Sequence, residues 1–148
     1  MKVQITVDEK PVNGYVYVNP NMGHQLDLST CGASDNECVE ILAPHILDYL
    51  PISHMQPLVQ MWIKKLRKGG KLILGGTDLY EICKNVMNGN ANTVQANLLL
   101  YGNQESNWNM KRGQINLKDL VDLMNESGLK VMKKRLDGVE MCVEAVRD

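Results

Sequence analysis

Between Ser53 and Asp78 the apolar residues Met55, Leu58, Val59, Trp62 and Leu66 recur at i, i+3, i+4, i+7 and i+11, which places them on one helical face. That face predicts a helix packed against a neighbour. Lys64, Lys65, Arg67 and Lys68 put positive charge at its carbonyl end, and Gly69-Gly70 predicts the stop, because glycine takes the left-handed conformation that ends helices. Leu72-Ile73-Leu74 then form a continuous apolar run, the pattern of a strand covered on both faces. A helix feeding such a strand implies a parallel sheet. Gly75-Gly76 allows a tight turn, and Asp78 with Glu81 caps the next helix.

Upstream, Val3, Ile5 and Val7 alternate with polar residues, and Tyr15 to Val18 is a β-branched and aromatic run, so two strands open the chain. The segment between them, Asp8 to Gly14, admits two geometries. Asn13-Gly14 favours a local antiparallel hairpin. Seven extended residues also span ~23 Å, enough to run back along a strand of ~17 Å and start a parallel neighbour. Gln25 to Leu28 is a candidate third strand, Val39 to Leu42 a fourth, and Ile46 to Leu50 a helical turn closed by Pro51.

Downstream, Leu79, Ile82, Val86 and Met87 predict a surface helix broken at Asn88-Gly89-Asn90. Asn85 to Asn109 is an Asn-rich excursion enclosing a short helix near Val94 and Leu98 to Tyr101, and excursions of this length are often functional. Asn116 caps a last helix with Leu117, Leu120, Val121 and Met124 on one face and Gly128 at its end. Leu129 to Arg135 and Val139 to Val146, joined by Asp137-Gly138, predict a closing antiparallel hairpin.

Composition narrows this picture. The 148 residues, 44% hydrophobic and 22% charged with a net charge of -1, describe one globular domain over residues 1–148. Such a domain buries ~70% of the surface its unfolded chain exposes. The charge balance lacks the basic excess of a nucleic-acid binder, so Lys64 to Lys68 and Lys130 to Arg135 are read as solvated surface. Met1 to Gln4 contains no apolar leader core and no stretch approaches ~20 apolar residues, so a cytoplasmic location without membrane contact is expected. Cys31, Cys38, Cys83 and Cys142 show no CxxC spacing and are read as free thiols; His24 and His45 flank the first two, but no metal is assigned. His45, just after the fourth strand, lies toward the crevice at the carboxyl end of the sheet and is a candidate base.

The order of these elements, with KLRKGGKLILGG at its centre, resembles the class I S-adenosylmethionine-dependent methyltransferases, and in particular the compact predicted methyltransferases. VEILAPHILDYLP (Val39 to Pro51) is similar to their strand-plus-helix segment with a Leu-Glu-His-Leu-Pro signature, and LKDLVDLMNESGL (Leu117 to Leu129) to their late helix. The resemblance covers nearly the whole chain. It implies an α/β Rossmann-like fold, strand order 3-2-1-4-5-7-6 with an antiparallel last strand, and methyl transfer from S-adenosylmethionine to a small-molecule or other acceptor. A methyltransferase-like binding or assembly module without catalysis is the alternative. By the same resemblance the cofactor would lie on Val7, Asp8, Asn19, Asp27, Leu28, Ala43 and His45. Where the family has a Gly-rich turn after the first strand, this chain has Thr6-Val7-Asp8-Glu9-Lys10, and Asn19 stands where the family has the acid that holds the ribose. Asp48 and Tyr49 replace the usual Glu and His of the signature. Side chains in the turn, and an amide for a carboxylate at the ribose, predict weak cofactor binding.

Overall fold

The computed structural model describes all residues from Met1 to Asp148. Six strands form one sheet: β1 (Lys2–Ile5), β2 (Val16–Val18), β3 (Cys38–Ala43), β4 (Leu66–Thr77), β5 (Leu129–Asp137) and β6 (Glu140–Arg147). Their spatial order is β2-β1-β3-β4-β6-β5. The neighbours β2, β1, β3 and β4 are parallel, and β6 runs antiparallel to both β4 and β5. The fold is therefore Rossmann-like, a mostly parallel sheet ending in an antiparallel hairpin, in the expected order without its outermost strand.

Three local expectations change. Gln25 to Leu28 is a turn. Leu28 sits at φ 67, the Asp27 carboxylate accepts from the Ser29 amide at 2.9 Å, and the Leu26 carbonyl accepts from the Trp62 indole at 2.7 Å. Side chains satisfy this backbone, which leaves no ladder to build. Next, the central helix α1 (Ile52–Lys65) stops at Lys65 and not at Gly69-Gly70. Leu66 is already extended, and Gly69 takes its positive φ of 77 within an irregularity of β4, where the register shifts between Cys38 and Glu40. Finally, Gly75-Gly76 does not turn but continues β4, paired with Cys142 and Met141. Of the two geometries open to Asp8 to Gly14, the chain takes the parallel one that the expected strand order requires: Val3 pairs with Val16 in parallel, so the connection returns along β1. Gln4 anchors it, its amide donating to the Lys10 carbonyl at 3.1 Å and accepting from the Val12 amide at 2.8 Å.

The remaining helices are α2 (Leu79–Met87), α3 (Thr93–Tyr101) and α4 (Leu117–Glu126). Asp78 caps α2 through the amides of Tyr80 and Glu81, and Asn116 caps α4 through that of Asp119. Asp78 also accepts from the Leu117 amide at 2.9 Å, tying the starts of the two helices together. Of the expected apolar face of α2, Ile82 is buried, whereas Val86 and Met87 are exposed.

Successive strand residues alternate between faces. Val3, Ile41, Leu72 and Ala145 stand in register across the sheet and are all fully buried. Met55, Val59 and Trp62 of α1 and Leu120 and Met124 of α4 join that face in one core. Leu58 is only half-buried, and Leu66 reaches the core from β4. Interior β4 is glycine-rich for steric reasons: a Cβ on Gly75 would stand 2.3 Å from the Met141 carbonyl oxygen and 2.6 Å from that of Pro44. No helix is long and apolar enough to cross a membrane.

Candidate functional site

The carboxyl ends of β1, β3 and β4 converge on a cavity of about 320 Å³ lined by Asp8, Glu9, His45, Asp48, Tyr49, Gly76, Thr77, Lys111 and Glu140. Open α/β sheets place ligands at this edge because the loops there diverge and leave a crevice. The turn after β1 is shaped by Thr6, whose hydroxyl accepts from the Glu9 amide at 3.1 Å. Glu9 then reaches across to His45, its carboxylate hydrogen-bonded to Nδ1. With its Nδ1–H donated to the carboxylate, a neutral imidazole keeps its lone pair on Nε2. That nitrogen, on a His45 side chain that is 45% exposed, lies 3.7 Å from a Glu140 carboxylate oxygen.

The other wall is a buried charge network. Lys111 meets Asp48 at 2.8 Å, with side chains only 8% and 5% exposed. The Thr77 hydroxyl lies 3.1 Å from the same Asp48 oxygen, and Lys111 also donates to the Leu99 carbonyl at 2.8 Å. The main chain repeats the tie: the Asp48 carbonyl accepts from the Arg112 amide at 2.8 Å and from the Gly113 amide at 3.3 Å. The segment following α3 is thereby strapped over the crevice. Gly76 and Gly113 permit the approach, since a Cβ would stand 2.8 Å from the Asp48 carboxylate in the first case and 2.3 Å from the Leu50 carbonyl in the second. Burial, with the negative charges of Asp48 and Asp8 adding to it, pushes the Tyr49 phenol up to about 12, so Tyr49 is a donor throughout the physiological range.

Of the residues expected around a cofactor, Asp8 and His45 line the cavity. Val7, Leu28 and Ala43 are core residues, and Asp27 caps its own turn through Ser29, a hydrogen bond that holds its carboxyl below the usual value. Asn19 is 7% exposed and committed to structure: its amide donates to the Val7 carbonyl at 3.2 Å and to the Tyr17 hydroxyl at 3.1 Å, and its oxygen accepts from the Asn21 amide at 2.9 Å. Asn21 completes a lock. Its side chain donates to the Val7 carbonyl at 2.9 Å and to Asn109 at 2.8 Å, and accepts from the Trp108 amide at 3.1 Å. The Asn-rich excursion thus reaches back onto the ends of β1 and β2.

Thr77, Lys111 and Glu140 enter the site without having been singled out from sequence, where Glu9 figured only as part of the turn that replaces the Gly-rich one. Lys111 carries no local signal at all, since only the strap brings it to Asp48. No group of His, Cys, Asp and Glu is placed to hold a metal ion, and all four cysteines are free.

No sequence-family model matches the chain, and no curated protein matches it either. Solved structures do. An S-adenosylmethionine-dependent methyltransferase from Methanosarcina mazei aligns over 99% of this chain and 82% of its own, with a TM-score of 0.63 at 11% identity. One from Archaeoglobus fulgidus aligns over 97% of this chain and 74% of its own, with a TM-score of 0.57 at 7% identity. An O-methyltransferase family protein from Burkholderia thailandensis aligns over 90% of this chain with a TM-score of 0.59 at 11% identity, but this chain spans only 36% of that protein. At such identities the likeness is one of architecture: the chain has the Rossmann-like fold found in S-adenosylmethionine-dependent methyltransferases.

Proposed function

We propose that this chain is a methyltransferase-like protein that draws a methyl group from S-adenosylmethionine and receives a small-molecule acceptor in the cavity beside His45. The observation that carries the reading is where the cavity lies: at the carboxyl edge of β1, β3 and β4, in a fold shared with S-adenosylmethionine-dependent methyltransferases. The residues fit the methionine end of the cofactor in part: Asp8 offers a carboxylate to its ammonium and sulfonium charges, while Asp8 and Glu9 together oppose its carboxylate, in keeping with weak binding. At the ribose end the amides of Asn21 and Asn109 already bond each other, so entry of the nucleoside requires the strap to part from Asn21. When bound, the cofactor supplies an electrophilic methyl group on sulfur.

The chain's own residues would act on the acceptor. Glu9 fixes the His45 ring through Nδ1 and leaves Nε2 to take a proton from an acceptor hydroxyl or amine, while the Tyr49 phenol donates a hydrogen bond to it. Alignment supplies most of the rate, since methyl transfer needs a nucleophile placed in line more than it needs a strong base.

A second reading, a binding or assembly module without catalysis, is favoured by two specific features. No glycine precedes Gly14, and the asparagine lock ties the excursion across the ends of β1 and β2. Calorimetric titration with S-adenosylmethionine and S-adenosylhomocysteine separates the readings. The expected result is a Kd weaker than ~100 μM for the natural chain, improving ~10-fold on replacing Asn21 and Asn109 together by alanine. Absence of binding in both proteins would leave the module as the better reading.

A further inference from the structure

Four of the nine residues that line the cavity at the sheet edge are carboxylates: Asp8, Glu9, Asp48 and Glu140. Lys111 is the one lysine or arginine among the nine, and buried Asp48 already holds it at 2.8 Å. Asp8, Glu9 and Glu140 are therefore in excess. S-adenosylmethionine carries one carboxylate against an ammonium and a sulfonium, so its single net positive charge balances one of these three. A protonated His45 would balance a second. A negative charge is still left over, in a crevice that focuses its field.

Geometry places that charge. Glu140 stands opposite Thr77 in the antiparallel pairing of β4 and β6, which turns both side chains to one face and brings Glu140 to His45. Nε2 and the Glu140 oxygen are 3.7 Å apart, too far to bond each other, yet a single nitrogen can stand ~2.9 Å from both. Both are acceptors when His45 is neutral. A hydroxyl has one proton to donate and satisfies only one of them, whereas an ammonium donates to both. Thr77 and Tyr49 add hydroxyls to the lining and no aliphatic side chain joins them, so the skeleton that carries the nitrogen is itself polar.

Resting on the reading of this cavity as the acceptor site, we propose that the acceptor is a small polar primary amine, bound as its ammonium between His45 Nε2 and the Glu140 carboxylate. Glu140 sets the specificity. An acidic acceptor meets the excess carboxylates, and like-charge repulsion rejects it. The bound ammonium becomes a nucleophile by losing one proton to neutral His45: an N–H bond breaks, its electron pair stays on the amine as the lone pair, and the proton bonds to Nε2. Glu9, on Nδ1, stabilises the imidazolium that results.

The test titrates the isotope-labelled full chain, without cofactor, with serinol, glycerol and glycerate, which share a carbon frame and differ in charge, and follows the His45 ring by NMR. Serinol should bind ~10-fold or more tightly than glycerol at low salt, with glycerate giving no saturable shift. Glu140 is 62% exposed, so Glu140→Gln should fold normally, which thermal unfolding checks, and should remove most of the serinol advantage while glycerol binds as before. Glu126→Gln, at the far end of α4, should keep that advantage. Equal binding of serinol and glycerol, tighter binding of glycerate, no saturable shift with serinol, an advantage that survives Glu140→Gln, or one that Glu126→Gln also removes would each overturn the proposal. Cofactor titration is read separately: the serinol preference without cofactor binding would overturn the methyltransferase reading and leave an amine site, and cofactor binding without the preference would overturn the amine alone.

Discussion

Lys111 and Asp48, far apart in sequence, meet at 2.8 Å with almost no exposure, and this ion pair pins the strap after α3 to the end of the sheet. Thr77 and the amides of Arg112 and Gly113 bond the same aspartate, so its lone pairs are well used. Removing one partner of such a pair leaves an uncompensated buried charge, which costs ~3–5 kcal/mol. Lys111→Met should lose stability on that scale in urea unfolding. Adding Asp48→Leu should recover much of it, since no charge is then buried. A loss under ~1 kcal/mol in the single variant would show that water reaches Asp48.

Leu66 is fully buried in the core, whereas Leu58 on α1 is half-buried. Truncation of Leu66 to alanine should therefore cost ~2–5 kcal/mol, with a clearly smaller loss for Leu58→Ala. Equal losses would mean that α1 turns its Leu58 edge into the core.

Asn19 donates two hydrogen bonds that a carboxylate cannot make, to the Val7 carbonyl and the Tyr17 hydroxyl. Asn19→Asp, which restores the acid expected at a ribose, should consequently destabilise the ligand-free chain by ~1–3 kcal/mol, because it sets a negative charge against a carbonyl oxygen. Thermal unfolding at neutral pH measures this. An unchanged melting temperature would mean that the Asn19 amide is not the donor described.

Tyr49 gives a pH signature. Its phenol titrates at about 12 in the folded chain, against 10 for the ordinary group, so above pH 10 the unfolded state releases a proton that the folded state keeps. Stability should then be intact below pH 10 and fall as pH rises toward 12. Tyr49→Phe should flatten that fall in urea titrations. The same slope in both proteins would assign it to another group.

Most of the framework was readable from residue pattern because it rests on local rules. Trp62 and Val59 at helical spacing, the caps at Asp78 and Asn116, the apolar run around Leu72 and the Asp137-Gly138 hairpin each express a preference that acts within a few residues. Long-range pairing overrode the rest. Asn13-Gly14 favours a hairpin, but Gln4 holds the connection beside β1, where Val16 pairs in parallel with Val3. The segment near Leu28 had the composition of a strand, and lost that role once Trp62 and Ser29 claimed its hydrogen-bonding groups. The site lay furthest from view. His45 and Asp8 could be placed at the crevice from their position after strands, but the pairing of Lys111 with Asp48, the Asn21 to Asn109 lock and the approach of Glu140 to His45 are set by which segments the chain closure brings together, and that information resides in no local stretch of residues.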